Sequence, residues 1–245
     1  CTFGKYPLAL DWDNIDADVA VLGAPYDGGT QWRSGARSGP RAIREASTLF
    51  AFGHAGAYDH EDDTMYLTED QLRMVDVGDA DIVHTDQAKS NANIEKAVRK
   101  ILEKGAMPVV LGGDHSCAIG TWSGVRAASP APVGLLWLDA HLDSHTPEST
   151  HSGALHGMPL ACLLGQGDRR LVTVGGPGPK LLPGHVALIG VRSYEPEERE
   201  FLDRLGVRVF TIDEVRQRGL PAVFGEALAR VRQAPGGYGV SLDLD

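Results

Sequence analysis

Short apolar runs rich in Val, Leu and Ile alternate along the chain with longer amphipathic stretches. The runs predict strands over 19–25, 73–79, 107–113, 133–141, 186–192, 207–213 and 238–245. The amphipathic stretches predict helices over 39–50, 87–105, the region after Gly120, 157–165, 196–206 and 221–233. Strands that are apolar on both faces and separated by helices indicate a parallel sheet covered on each side. The pattern therefore predicts an α/β fold, a three-layer α/β/α arrangement around a central, mostly parallel sheet. The acidic stretch 54–70 has no period and reads as an excursion loop. "GARSGPRAIR" (35–44) has proline near the first helical position, so its arginines are read as structural. "GGPGPK" (175–180) lacks the context of a phosphate loop and reads as a surface turn.

At 245 residues the chain can bury a substantial single core, and no persuasive linker divides it, so one domain over 1–245 is expected. A formal net charge of -10 argues against nucleic-acid and anionic-membrane partners. No apolar run approaches the ~18 residues that span a bilayer. Cys1, Cys117 and Cys162 are few and widely separated. They suit a reducing, cytoplasmic setting and give neither a disulfide framework nor a zinc-finger spacing.

The chemistry concentrates in "LLWLDAHLDSH" (135–145), where a buried run leads into Asp139, His141, Asp143 and His145. Alternation along a strand would point residues two apart to one side. Burying that much ionisable surface is costly unless the groups are paired or bind metal. Ligands of open parallel sheets gather beyond the carboxyl ends of the strands. Asp114-His115 and Asp243-Asp245 also follow apolar runs and are expected at that same edge. Four carboxylates (Asp139, Asp143, Asp243, Asp245) with His115 and His141 suit two divalent ions. Carboxylate and imidazole without thiolate favour Mn²⁺, Fe²⁺ or Zn²⁺ over Ca²⁺. Two such ions can lower the pKa of a shared water, so hydrolysis at an electrophilic centre is the implied chemistry.

The ordered set "GGDHS" (112–116), "DAHLD" (139–143), "HSGALHGMP" (151–159) and "SLDLD" (241–245) resembles the ureohydrolases, the arginase and agmatinase family. Binuclear metallophosphoesterases use similar elements, but in them Asp-x-His leads the chain. The resemblance implies that His115, Asp139, Asp143 and Asp243 hold one Mn²⁺ and Asp139, His141, Asp243 and Asp245 the other. It further implies hydrolysis of a guanidinium to urea and an amine, with catalytic roles for Asp143 and for His156 in proton transfer. A homo-oligomer, trimer or hexamer, is implied as well.

The opening segment 23–47 looks like agmatinases, whereas 139–165 and "GVRSYEPEERE" (190–200) look like arginases. Substrate contacts are expected from His145, His151, Ser152, Glu195 and Glu198. Arginases place Asn where His145 and Ala154 stand, so agmatine is the expected substrate, with arginine and 4-guanidinobutyrate as alternatives. The family pattern continues past the final Asp pair to a glutamate that holds the guanidinium. Against that pattern the chain reads as truncated, and an incomplete or inactive metal-binding relative is the competing class.

Overall fold

The computed structural model describes residues 1–51 and 55–244. Strands β1 (Val19–Ala24), β4 (Met74–Asp79) and β5 (Met107–Gly112) form a parallel sheet in the order β4-β1-β5. Strands β6 (Gly134–Leu138), β7 (Val186–Val191), β8 (Arg208–Thr211) and β9 (Tyr238–Leu242) form a second, in the order β8-β7-β6-β9. All its pairings are also parallel. The single expected sheet is thus divided between two, and among the described residues no hydrogen-bonded pairing joins β5 to β9. A short antiparallel hairpin, β2 (Ala57–Asp59) with β3 (Thr64–Tyr66), stands within the stretch read as a loop. Its side chains are mostly exposed, which is why no buried period marked it.

Helices cover both faces of each sheet. Alternation in β6 sends Leu135 and Trp137 to a core shared with α3 (Cys117–Ala128), α4 (Pro159–Leu163) and α6 (Pro196–Leu205). The intervening Leu136 packs with Ala187, Ile189 and Phe210 against Val223, Ala227 and Val231 of α8 (Leu220–Val231). In the first sheet, Ala20 and Leu22 meet Ile94, Ala97, Val98 and Ile101 of α2 (Gln87–Glu103). Val19 and Val21 face the other way, onto Tyr6 and toward Ile43 of α1 (Gly39–Ser47). Removing such surface from water is the main favourable term in folding.

Helix α3 ties the sheets together. Cys117 belongs to the core beneath β1, whereas Ala118 and Trp122 belong to the core beneath β6. The Trp122 ring also lies so close to Gly239 of β9 that a Cβ there would sit 2.7 Å from it. Two short helices escaped the sequence reading, α5 (Arg169–Val172) and α7 (Ile212–Arg218). The strand expected to reach residue 213 stops at Thr211, whose hydroxyl accepts from the Glu214 N–H and starts α7. The expected surface turn 175–180 encloses Lys180, which is buried and donates to the carbonyls of Val172, Gly176 and Gly178.

Candidate metal centre and active site

β5, β6 and β9 all end at the same edge, and the loops leaving them carry His115, Asp139 to His145, and Asp243. Alternation does not assemble the central group, because β6 ends at Leu138 and residues 139–145 run as loop. Asp139 instead folds the chain back by accepting from the His141 N–H at 2.8 Å. Asp143 adopts a left-handed backbone, φ 48°, at a non-glycine residue. Such strain costs roughly 1–3 kcal/mol and persists where the surroundings hold it.

The result is a convergence of oxygen atoms on one imidazole nitrogen. His115 Nδ1 lies 3.1 Å from Asp139 Oδ2, 2.9 Å from Asp143 Oδ2 and 3.0 Å from Asp243 Oδ2. None of these approaches has hydrogen-bond geometry. One nitrogen could satisfy at most one of the three in any case. His115 is held facing them by Ser241 Oγ, 2.9 Å from Nε2, and by stacking on Trp137 at 4.2 Å. Trp137 Nε1 in turn donates to Asp139 at 2.9 Å.

The electrostatics follow from this crowding. Burial pushes the Asp143 carboxyl up to about 7, with Asp139 and Asp243 adding to the rise. Burial opposes a charged His115, but its three carboxylate neighbours prevail and raise its pKa well above the ordinary value. Burial also acts against Asp139, yet His115 and His141 hold it below the usual carboxylate range. The donor set, imidazole and carboxylate oxygen packed within 4.8 Å, fits a divalent cation that would replace these mutual contacts. His141, whose Nδ1 is 3.4 Å from Asp139 Oδ1, is more exposed and borders the group. Asp245, expected as a ligand, lies outside the described residues.

A second group stands beside the first. His145 Nε2 is 3.1 Å from Glu195 Oε2 and 3.5 Å from Glu198 Oε2. Its Nδ1 meets Ser149 Oγ at 3.0 Å. Glu198 accepts from the N–H of Ser144, next to Asp143, at 2.9 Å, and from the Glu195 N–H at 3.1 Å. Glu195 and Glu198 are therefore also the capping box that starts α6. Burial raises the Glu198 carboxyl, whereas His145 holds Glu195 low. His151 reaches only the rim, 3.9 Å from Glu197. The Ser152 hydroxyl accepts from the Ala154 N–H at 3.2 Å. His156 stands on a turn joined to the ligand loop by His145 N–H to the Gly157 carbonyl and Leu160 N–H to the Asp143 carbonyl.

A profile of the Arginase family matches residues 17–245. The chain belongs to the arginase family. Arginase of Bacillus caldovelox is 38% identical over 237 residues, covering 93% of this chain and 75% of that protein. The crystal structure of Bacillus subtilis arginase superposes with a TM-score of 0.79 at 36% identity, over 92% of this chain and 74% of that one. Proclavaminate amidino hydrolase of Streptomyces clavuligerus gives 0.78 at 30% identity, over 99% and 73%. The chain is thus a metal-dependent amidinohydrolase of the arginase fold. No helix among its described residues is long and apolar enough to cross a membrane.

The sequence reading missed two residues that orient this family's motif in the chain. Ser241 lies two residues before Asp243 and Trp137 two before Asp139. The same alternation that flagged the carboxylates would have flagged both. It missed a third, Gln31, whose Oε1 lies 2.6 Å from His156 Nε2. That contact spans 125 positions and leaves no local signal.

Proposed function

We propose that the chain hydrolyses the guanidinium of arginine, releasing urea and ornithine, with two Mn²⁺ held at the β5, β6 and β9 edge. His115, Asp139, Asp143 and Asp243 would hold one ion. Asp139, His141, Asp243 and Asp245 would hold the other. Bound there, divalent ions would supply the Lewis acidity that brings the pKa of a water toward neutrality. Asp143 would orient the attacking water as a buried acceptor. His156 would carry a proton to the leaving amine nitrogen. Glu195 and Glu198 would take the substrate ammonium, with His145 setting their positions, His151 at the rim and Ser152 offering its O–H to the α-carboxylate.

The observation that carries this reading is the link between the two groups. The Ser144 N–H bond to Glu198 fixes an anionic pair beside the buried ligand cluster. A molecule with a cationic guanidinium at one end and an ammonium at the other would be held at both. The arginase relatives named above support arginine as that molecule.

A second reading, agmatine, rests on two specific residues. Ala154 offers no hydrogen-bonding side chain to a carboxylate, and both ring nitrogens of His145 already have partners. Sites that lack a partner for a substrate's polar group discriminate against it. Urea release from arginine, agmatine and 4-guanidinobutyrate, assayed side by side on the manganese-loaded protein, separates these outcomes. The highest kcat/KM for arginine is expected. A preference for agmatine would replace the first reading with the second. A preference for 4-guanidinobutyrate, which has no ammonium, would remove the two glutamates from substrate recognition.

A further inference from the structure

The loop between β1 and α1 reaches across the molecule to His156. It is closed at its base by Asp27, whose Oδ2 accepts from the Gly35 N–H at 2.6 Å while Oδ1 pairs with Arg37 at 2.7 Å. Its floor is fixed from two further sides. Asp114 Oδ2 accepts from the Gly29 N–H at 2.7 Å, and Gln87 Nε2 donates to the Gly28 carbonyl at 3.2 Å. The Gly29 carbonyl then accepts the backbone N–H of His156 at 3.3 Å. So the same loop holds both the main chain of His156 and, through Gln31, its ring.

We propose that Gln31 is a positioning residue for proton transfer by His156. This rests on the proton-transfer role proposed above for that histidine. The amide oxygen of Gln31 can only accept, so at 2.6 Å the Nε2 of His156 must carry the proton. In the neutral ring this leaves Nδ1 as the one atom able to take up a proton and hand it on. Gln31 thereby selects the tautomer of the histidine and the nitrogen that handles the proton.

The test uses manganese-loaded wild-type protein and the exposed-site variants Gln31→Ala and Gln31→Glu. Carbethoxylation of His156 by diethyl pyrocarbonate, followed at one pH by peptide mapping, reads the ring without reference to turnover. Relative to wild type, His156 is expected to react about tenfold faster in Gln31→Ala, where the amide oxygen no longer holds Nε2, and at close to the wild-type rate in Gln31→Glu, which keeps an acceptor there. Gln31→Ala is expected to lower kcat by about tenfold with KM within twofold. In a His156→Asn background it should change kcat no further. An unchanged carbethoxylation rate in Gln31→Ala overturns the proposal. So does a KM effect without a kcat effect, or an equal loss of kcat in the His156→Asn background. If His156→Asn alone retains full kcat, the proton-transfer role fails, while the carbethoxylation rates still decide whether Gln31 governs the ring.

Discussion

Two clusters of carboxylates sit on strands or at their ends in this molecule, and they are compensated in different ways. On β4, buried Asp76 and half-exposed Asp79 flank the buried guanidinium of Arg44. Arg44 Nε and Nη2 donate to Asp76 at 2.7 and 3.0 Å, and Nη1 donates to Asp79 at 2.5 Å. Nη2 also reaches the Gly78 carbonyl at 2.9 Å, and Asp76 accepts from the Phe3 N–H at 2.8 Å. Two carboxylates there share one guanidinium, and all three of its nitrogens donate within the cluster. At the ends of β5, β6 and β9, Asp139, Asp143 and Asp243 crowd a single imidazole nitrogen. What separates a site from a staple is satisfaction: every Arg44 nitrogen has its acceptor, whereas His115 Nδ1 faces three carboxylates and is bonded to none. A cluster satisfied within the chain fixes the fold, whereas one left unsatisfied is built for a cation from outside.

Substitution should split the two clusters cleanly. Asp139→Asn removes a carboxylate expected to bridge both ions, so metal content and activity should fall together. Metal catalysis supplies several kcal/mol of transition-state stabilisation, so a loss of ~10²–10⁴-fold in kcat is expected. The metal-free variant should melt somewhat lower than metal-free wild type near neutral pH, because the carboxylate charge that His115 and His141 favour has gone. Metal analysis and melting curves with and without chelator read both effects. Full metal occupancy in Asp139→Asn would break the comparison.

Asp76→Asn should do the reverse. Removing one partner of a buried ion pair typically costs about 3–5 kcal/mol, and Asp79, which still pairs with Arg44, should keep the loss toward the lower end. Unfolding in denaturant should register that loss, while the metal content of the folded fraction stays at the wild-type level. Reduced metal with unchanged stability would mean that the Arg44 cluster serves the site rather than the scaffold.

The contrast also explains what was legible in the sequence. Both clusters follow apolar runs, and the strands themselves stood out because all six positions of β1 and most of β6 and β7 are buried. The motif residues were legible as charges that no buried strand end would tolerate unpaired. Arg44 gave no such signal, because its partners lie 32 and 35 positions away. The loop geometry of 139–145 was equally hidden. A left-handed Asp143 violates its local preference, and only the assembled site imposes it. Gln31 was invisible for the same reason as Arg44, since a contact of long separation carries no period.

The subtlest test of the comparison is pH. Burial, together with Asp139 and Asp243, raises the Asp143 carboxyl from its ordinary value to about 7 in the metal-free protein. An ion that takes this carboxylate must displace its proton below that value. Manganese affinity should therefore fall at least tenfold for each pH unit below 7, and go on rising above it for as long as His115, also a ligand, still holds its proton. Metal-free stability should run the opposite way. A carboxyl raised on folding contributes stability that is fully present below its unfolded pKa and is lost as pH rises through about 7. His115, also raised, has the same sign, its contribution being present below the ordinary histidine range and lost as pH climbs through the folded value. Chelated protein should accordingly melt higher at pH 5.5 than at pH 8.5, and manganese-loaded protein should reverse that order. Arg44 keeps its charge throughout this range, so its cluster adds no such slope. If melting of the chelated protein were flat across these pH values, the carboxylates around His115 would have to be compensated from within, as those around Arg44 are.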